Sequence, residues 1–253
     1  MRQAEVIDAY LDRGGNFLDT ANVYTKGHSE KIIGDHIGND PSKRDRVVIA
    51  TKCSGNMFPG DPNGSGRKAM TNAVDESLRR LQTDHIDLYL LHSFDPHTPL
   101  EETLGALDGL VRQGKVRYIG CSNFRSWKVM EALWISSARN LASFVCIQSQ
   151  YNLLNRFEIE PELMPLCHQF GLGIMVYSPL AIGLLSGRFR RGQDPPPHTS
   201  WSSGENRGLS PHKYDFEAAM DEHADRVVQT LIDVGQRHGR TPAQVAIAWI
   251  LDH

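Results

Sequence analysis

Short runs rich in β-branched and aromatic residues recur at Asn16 to Ala21, Val47 to Cys53, Ile86 to His92, Val116 to Ser122, Phe144 to Tyr151 and Gly173 to Ser178. Their length and nearly continuous apolar character predict six strands covered on both faces. Between them the pattern changes to a helical period: Val6, Ile7, Tyr10 and Leu11; Met70, Val74, Leu78 and Leu81; Leu100, Leu104, Leu107 and Val111; then Val129 and Leu133 with a less regular tail. Apolar residues three and four apart give each helix one apolar stripe. Two helix starts are spelled out, Thr98-Pro99-Leu100-Glu101 and Thr241-Pro242-Ala243-Gln244. Each offers a hydroxyl at the N-cap, Pro at the first helical position and Glu or Gln at the third.

Alternating short strands and helices predict parallel strands joined by right-handed crossovers, in an open doubly wound sheet or a closed barrel. A doubly wound nucleotide-binding sheet carries G-x-G-x-x-G after its first strand; here Gly171-Leu172-Gly173 is followed by Val176 where the third glycine would stand. The pattern therefore favours an α/β (β/α)₈ barrel. Phe189 to Phe216, with three consecutive prolines at Pro195 to Pro197, reads as a long irregular loop after the last strand. We expect it to form a flap over cofactor or substrate, with simple disorder as the competing reading.

The chain's 253 residues suit one barrel domain spanning 1–253. Apolar residues make up 40 % and charged residues 23 %, with a net charge of -3. Neither nucleic acid nor a membrane is implied as a partner. Met1-Arg2-Gln3-Ala4-Glu5 lacks the pattern of a signal peptide, and the most apolar stretch, Gly171 to Leu185, is interrupted by Tyr, Ser, Pro and Gly, so the cytoplasm is expected. Cys53, Cys121, Cys146 and Cys167 form no C-x-x-C pair and read as buried free thiols; the eleven histidines give no metal-ligand spacing, and no metal site is expected.

If the six strands are parallel, polar residues at their ends converge on one rim: Asp19 and then Tyr24, Lys52, His92, Ser122 with Asn123, Gln148, and Tyr177 with Ser178. A lysine at the tip of the apolar run Val47 to Thr51 needs a partner, and Asp19 can supply it. A lysine beside a phenol stabilises the phenolate and lowers its pKa from about 10, which makes Tyr24 a usable general acid. His92 can then donate a hydrogen bond to a substrate carbonyl. Taken singly, His92 reads as a satisfied core histidine and Tyr24 as a loop aromatic; their spacing with Asp19 and Lys52 on successive strand ends argues for a joint role.

The runs Asn16-Phe17-Leu18-Asp19-Thr20-Ala21-Asn22-Val23-Tyr24, Ala50-Thr51-Lys52, Leu90-Leu91-His92 and Gly120-Cys121-Ser122-Asn123-Phe124 resemble the signatures of the aldo-keto reductase superfamily. Leu81 to Tyr89 and Gln148-Ser149-Gln150-Tyr151-Asn152 are similar to it too, in order and spacing, so the resemblance covers nearly the whole chain. It implies that Tyr24 is the proton donor, that Asp19 and Lys52 tune it, and that His92 orients the carbonyl while a nicotinamide cofactor delivers hydride. It further implies that Ser122, Asn123 and Gln148 hold the nicotinamide carboxamide, that Tyr177 stacks on its ring, and that the run Ser178, Pro179, Leu180 to Gly183 wraps the pyrophosphate. The cofactor it implies is NADP (NADPH), with NAD left open, and the substrate a small carbonyl compound or alcohol. Asn56 to Gly66 and the long second loop look most like the branch that holds aryl-alcohol dehydrogenase-like enzymes and potassium-channel β subunits. A cofactor-sensing binding subunit and a catalytically impaired fragment are the alternative readings, and a homo-oligomer is left open.

The family pattern places a strand before Arg2 and an eighth βα unit after His253. Without them, Asn16 to Ala21 and Gly173 to Ser178 would be unpaired edges. The chain therefore reads as truncated at both ends, with the segment for the cofactor's adenosine half lacking. Weak or absent turnover is expected from this chain alone, and activity comparable to a full-length relative would contradict that.

Overall fold

In the computed structural model, which describes residues 3–53, 64–202 and 215–252, each of the six apolar runs forms a strand. They are β1 (Phe17–Asp19), β2 (Val48–Cys53), β3 (Ile86–Leu91), β4 (Val116–Ser122), β5 (Phe144–Gln150) and β6 (Gly173–Tyr177). Several end earlier than their apolar runs, although single ladder bonds continue beyond the last paired residue. Thr20 N–H still meets Ala50 O, Asn22 N–H meets Lys52 O, His92 N–H meets Cys53 O and Asn123 N–H meets Gln148 O. The strands form one sheet in the order β1-β2-β3-β4-β5-β6, with parallel pairing from β1 through β5. Sequential parallel strands with intervening helices make a partial (β/α)₈ barrel.

The helices are α1 (Gln3–Leu11), α2 (His28–Ile33), α3 (Pro41–Arg44), α4 (Arg67–Leu81), α5 (Leu100–Arg112), α6 (Ser126–Arg139), α7 (Leu163–Phe170), α8 (Phe216–Ala219), α9 (Glu222–His238) and α10 (Pro242–Asp252). At α10 the expected capping box is complete: Gln244 N–H donates to Thr241 Oγ1 at 3.2 Å and Thr241 N–H to Gln244 Oε1 at 3.0 Å. At α5 the expected start is one residue early. Pro99 is the N-cap, and the Thr98 hydroxyl instead donates to Asp95 Oδ2 at 2.6 Å. The longest unanticipated helix, α9, opens on Asp221, whose carboxylate accepts from Ala224 N–H at 2.8 Å. Its buried stripe is Ala224, Val228, Leu231 and Gly235, at helical spacing. Among the described residues no helix is long and apolar enough to cross a membrane.

Internal contacts divide the chain into two units: Met1–Gln148 with Leu163–Met175, and Ser149–Glu162 with Val176–His253. In the first, the charged groups of the helix layer are satisfied in pairs. The buried Glu30 carboxylate on α2 accepts from Thr51 Oγ1 at 2.6 Å and from Arg80 Nε at 2.7 Å, and Arg44 pairs with Asp87 at 2.7 Å. The Glu30 bonds fasten α2 to β2 and α4 immediately beside Lys52. At the free side of β1, the Tyr10 hydroxyl accepts from Phe17 N–H at 3.3 Å and donates to Phe17 O at 3.2 Å. One phenol thus takes both outward-facing main-chain groups of Phe17. Along the α1 stripe Val6 and Tyr10 are exposed.

The second unit packs Leu184, Leu185, Phe189, Trp201, Met220, Val228 and Leu231 into its own core. Trp201 is part of that core: its ring is buried there and its Nε1–H donates to Ile182 O at 3.0 Å. The described parts of the long segment are pinned in the same way, Phe189 against Phe216 at 5.9 Å and Arg190 to Asp225 at 2.8 Å. The remainder of the expected flap, 203–214, and most of the loop expected at Asn56 to Gly66 lie outside the described residues. The four cysteines are free, three of them buried.

Gly120 on β4 sits where a side chain cannot. A Cβ there would lie 2.6 Å from Leu90 Cδ2, 2.7 Å from the Cys146 carbonyl oxygen and 2.8 Å from its Sγ. Part of that environment is main chain and cannot yield. Gly120→Ala is expected to destabilise the chain by about 1–3 kcal/mol, measured by denaturant unfolding, and an unchanged midpoint would contradict the packing described.

Candidate active site

Strand register decides which side chains share a face. Paired residues in a parallel ladder point the same way, and so do residues two apart on one strand. Asp19 pairs with Ala50, Lys52 with Leu90, Leu90 with Gly120, and Ser122 with Gln148. Asp19, Lys52, Ser122 and Gln148 therefore lie on one face, with His92 two residues beyond Leu90. In the layer beneath them, Ala50, Gly120 and Cys146 are small and leave room for long polar side chains to meet.

Lys52 is 0 % exposed. A buried ammonium is tolerable only when all three of its protons are engaged. Its Nζ donates to Asp19 Oδ2 at 2.7 Å, to the Thr20 carbonyl at 2.7 Å and to the Tyr24 hydroxyl at 3.3 Å. The Tyr24 ring is 40 % exposed, so the phenol joins a buried cation to solvent. Behind it the chain turns through three left-handed residues, Thr25, Lys26 and Gly27, with φ of 46°, 54° and 84°. This turn ends the loop from β1 and starts α2.

His92 stands edge-on to Tyr24, with ring centroids 5.8 Å apart and an 80° interplanar angle. Its buried Nδ1 has no hydrogen-bond partner. Burial, with the Lys52 charge acting in the same direction, holds the imidazole down at about 4, so the ring is neutral at physiological pH. Its main chain is fixed by Asn123, whose Nδ2 donates to His92 O at 2.9 Å and to Ser122 Oγ at 3.1 Å. Asn123 adopts φ of 59°, a conformation that Asn tolerates better than most residues. Gln148 Nε2 donates to Asp19 Oδ2 at 3.1 Å.

The donor set fits the group that the family resemblance implies. Ser122, Asn123 and Gln148 supply one hydroxyl and two amides, which together can donate and accept as a carboxamide requires. Buried Ser122 and Gln148 flank the exposed Asn123, and the unpartnered His92 Nδ1 beside them is a polar atom awaiting a partner.

The other expected cofactor residues, Tyr177, Ser178, Leu180 and Gly183, belong to the second unit. Within it, Tyr151 N–H donates to Tyr177 O at 3.4 Å. Ser178, Ala181, Ile182 and Gly183 are left-handed, with φ of 52°, 47°, 56° and 93°. The loop closes on itself, Ala181 N–H donating to Ser178 O at 2.9 Å and Gly183 N–H to Leu180 O at 2.9 Å. Sequence reading did not assign Thr20, whose carbonyl takes one Lys52 proton, or Asn22, buried with its Oδ1 unpartnered. Both lie inside the Asp19 to Tyr24 run, where only the two ends had recognisable chemistry.

A model of the aldo/keto reductase family matches residues 2–253. The chain is 32% identical over 268 residues to an aldo-keto reductase of Fusarium vanettenii, covering 97% of this chain and 70% of that protein. It is 35% identical over 255 residues to the oxidoreductase YrpG of Bacillus subtilis, covering 97% and 73%. It is 32% identical over 245 residues to a probable voltage-gated potassium channel subunit beta of Oryza sativa subsp. japonica, covering 96% and 72%.

Because folding lowers the His92 pKa from 6.5 to about 4, the unfolded chain takes up a proton first as pH falls. The contribution of the neutral ring to stability is therefore full above about 6.5 and declines towards pH 4. The His92 imidazole resonance is expected to titrate near pH 4 by NMR. Acid destabilisation between pH 6.5 and 4 should be shallower in His92→Gln, and a His92 midpoint near 6.5 would contradict the burial described.

Proposed function

The chain belongs to the aldo/keto reductase family of oxidoreductases, and from that premise we propose that it reduces aldehydes or ketones to alcohols, or runs the reverse, with Tyr24 as general acid. The observation that carries this reading is the buried Lys52 ammonium, whose three protons meet Asp19, the Thr20 carbonyl and the Tyr24 hydroxyl.

A reduced nicotinamide, when bound, supplies the hydride that adds to the carbonyl carbon. The chain's own residues handle the oxygen. Neutral His92 donates an N–H to it and fixes its direction. Tyr24 passes it the phenolic proton, so that the carbonyl gains a hydride at carbon and a proton at oxygen. The phenolate left behind is held by Lys52 Nζ and regains its proton from water at the exposed ring. Asp19 keeps Lys52 charged and in place. Ser122, Asn123 and Gln148 would hold the nicotinamide carboxamide; Tyr177 would stack on the ring, and Ser178, Leu180 and Gly183 would line the pyrophosphate. NADPH is the proposed donor, a small carbonyl compound the substrate and the cytoplasm the setting.

A cofactor-sensing subunit is the second reading, favoured by the rice relative described as a potassium channel subunit beta. It requires cofactor binding with no dependence of function on turnover.

The test uses single-turnover conditions, with the chain in excess over a panel of aldehydes and ketones and NADPH consumption followed by fluorescence. Tyr24→Phe is expected to slow carbonyl-dependent oxidation by roughly 10²–10⁴-fold while NADPH binding persists. Unchanged consumption in that variant would remove Tyr24 from the reaction.

A further inference from the structure

We infer that Gln148 is a positioning residue for the proton transfer, acting on Tyr24 through Asp19 and Lys52. The inference rests on the reading of Tyr24 as the acid and adds to the proposed carboxamide contact a second task for the same amide.

Gln148 is 5 % exposed and lies on β5, with β2, β3 and β4 between it and the Asp19 strand in the order of the sheet. Its Nε2 nevertheless reaches Asp19 Oδ2 at 3.1 Å. The same oxygen receives Lys52 Nζ at 2.7 Å. One carboxylate oxygen thus accepts from a cation and from a neutral amide, and the two donors share its charge. Lys52 in turn divides its field between Asp19 and the Tyr24 oxygen, which receives the longest of its three bonds at 3.3 Å.

Although the Asp19 side chain is 32 % and Tyr24 40 % exposed, withdrawing the amide donor leaves more negative charge for the buried Lys52 to neutralise at Asp19. Lys52 is drawn towards the carboxylate, less of its field reaches the phenol oxygen, and the phenolate forms less readily. The groups that face Tyr24 are Lys52 on β2, with Asp19 on β1 behind it, and His92 beyond β3. The nearest carboxylate of α2, Glu30, is engaged by Arg80 and Thr51. None of the others changes when Gln148 is replaced. A carboxamide drawn to Ser122, Asn123 and Gln148 competes with Asp19 for Nε2, so occupancy of that site is felt at Tyr24.

The test is a phenolate titration by ultraviolet difference absorbance on the cofactor-free chain, with the Tyr24 signal isolated by subtracting Tyr24→Phe. Burial pushes Tyr89 up and Tyr151 to about 12, which keeps both out of the early part of the curve. Gln148→Met, similar in size but without a donor, is expected to move the Tyr24 transition to higher pH. Gln148→Asn, which keeps the amide but falls short of Asp19, should move it the same way if the Met variant does not fold. If Gln148 serves bound cofactor alone, both variants weaken NADPH binding and leave the Tyr24 transition where it is. That result, in a variant with unchanged far-ultraviolet circular dichroism, overturns the inference. Failure of the functional reading is separately visible, as carbonyl reduction surviving in Tyr24→Phe.

Discussion

A lysine ammonium closed off from solvent is the constraint around which the first unit is organised. Lys52 must find three acceptors or lose its charge, and the chain supplies a carboxylate, a carbonyl and a phenol, all from the β1 end and the loop behind it. The short β1 strand, the parallel register that sets Asp19 beside Ala50, and the left-handed turn after Tyr24 are conditions for that arrangement. Glu30 reinforces it from the helix side by bonding Thr51, the residue next to Lys52. A half-exposed phenol beside the ammonium is thus a by-product of satisfying one buried cation.

Much of this was legible in the chain itself because the signals are local. Val47 to Thr51 is too apolar to be anything but a buried strand, and a lysine at its tip demands a partner. Polar residues recurring at successive strand ends indicate a shared rim even before a register is known. The capping box at Thr241 and Gln244 is local too, and it forms with both bonds in place.

What stayed hidden depends on partners distant in sequence. The Asp95 carboxylate gathers the Thr98 hydroxyl and the Ser65 N–H, 30 residues upstream of it, and so shifts the start of α5 from the position that Thr98-Pro99 suggested. Trp201 stands in a segment of loop composition, and only the surrounding Phe216 and Met220 reveal it as core. The bond between Gln148 and Asp19 spans 129 positions and could not be read from either residue alone.

The central claim is that the Lys52-centred cluster moves a proton to a carbonyl oxygen as hydride arrives at its carbon. Isotope transfer tests it most directly: NADPH deuterated at the transferable position of its nicotinamide is incubated with the chain and an aldehyde, and the alcohol is analysed by mass spectrometry. The account predicts deuterium at the carbinol carbon with the parent chain and its loss with Lys52→Met. Deuterated alcohol formed as quickly by Lys52→Met as by the parent would contradict it.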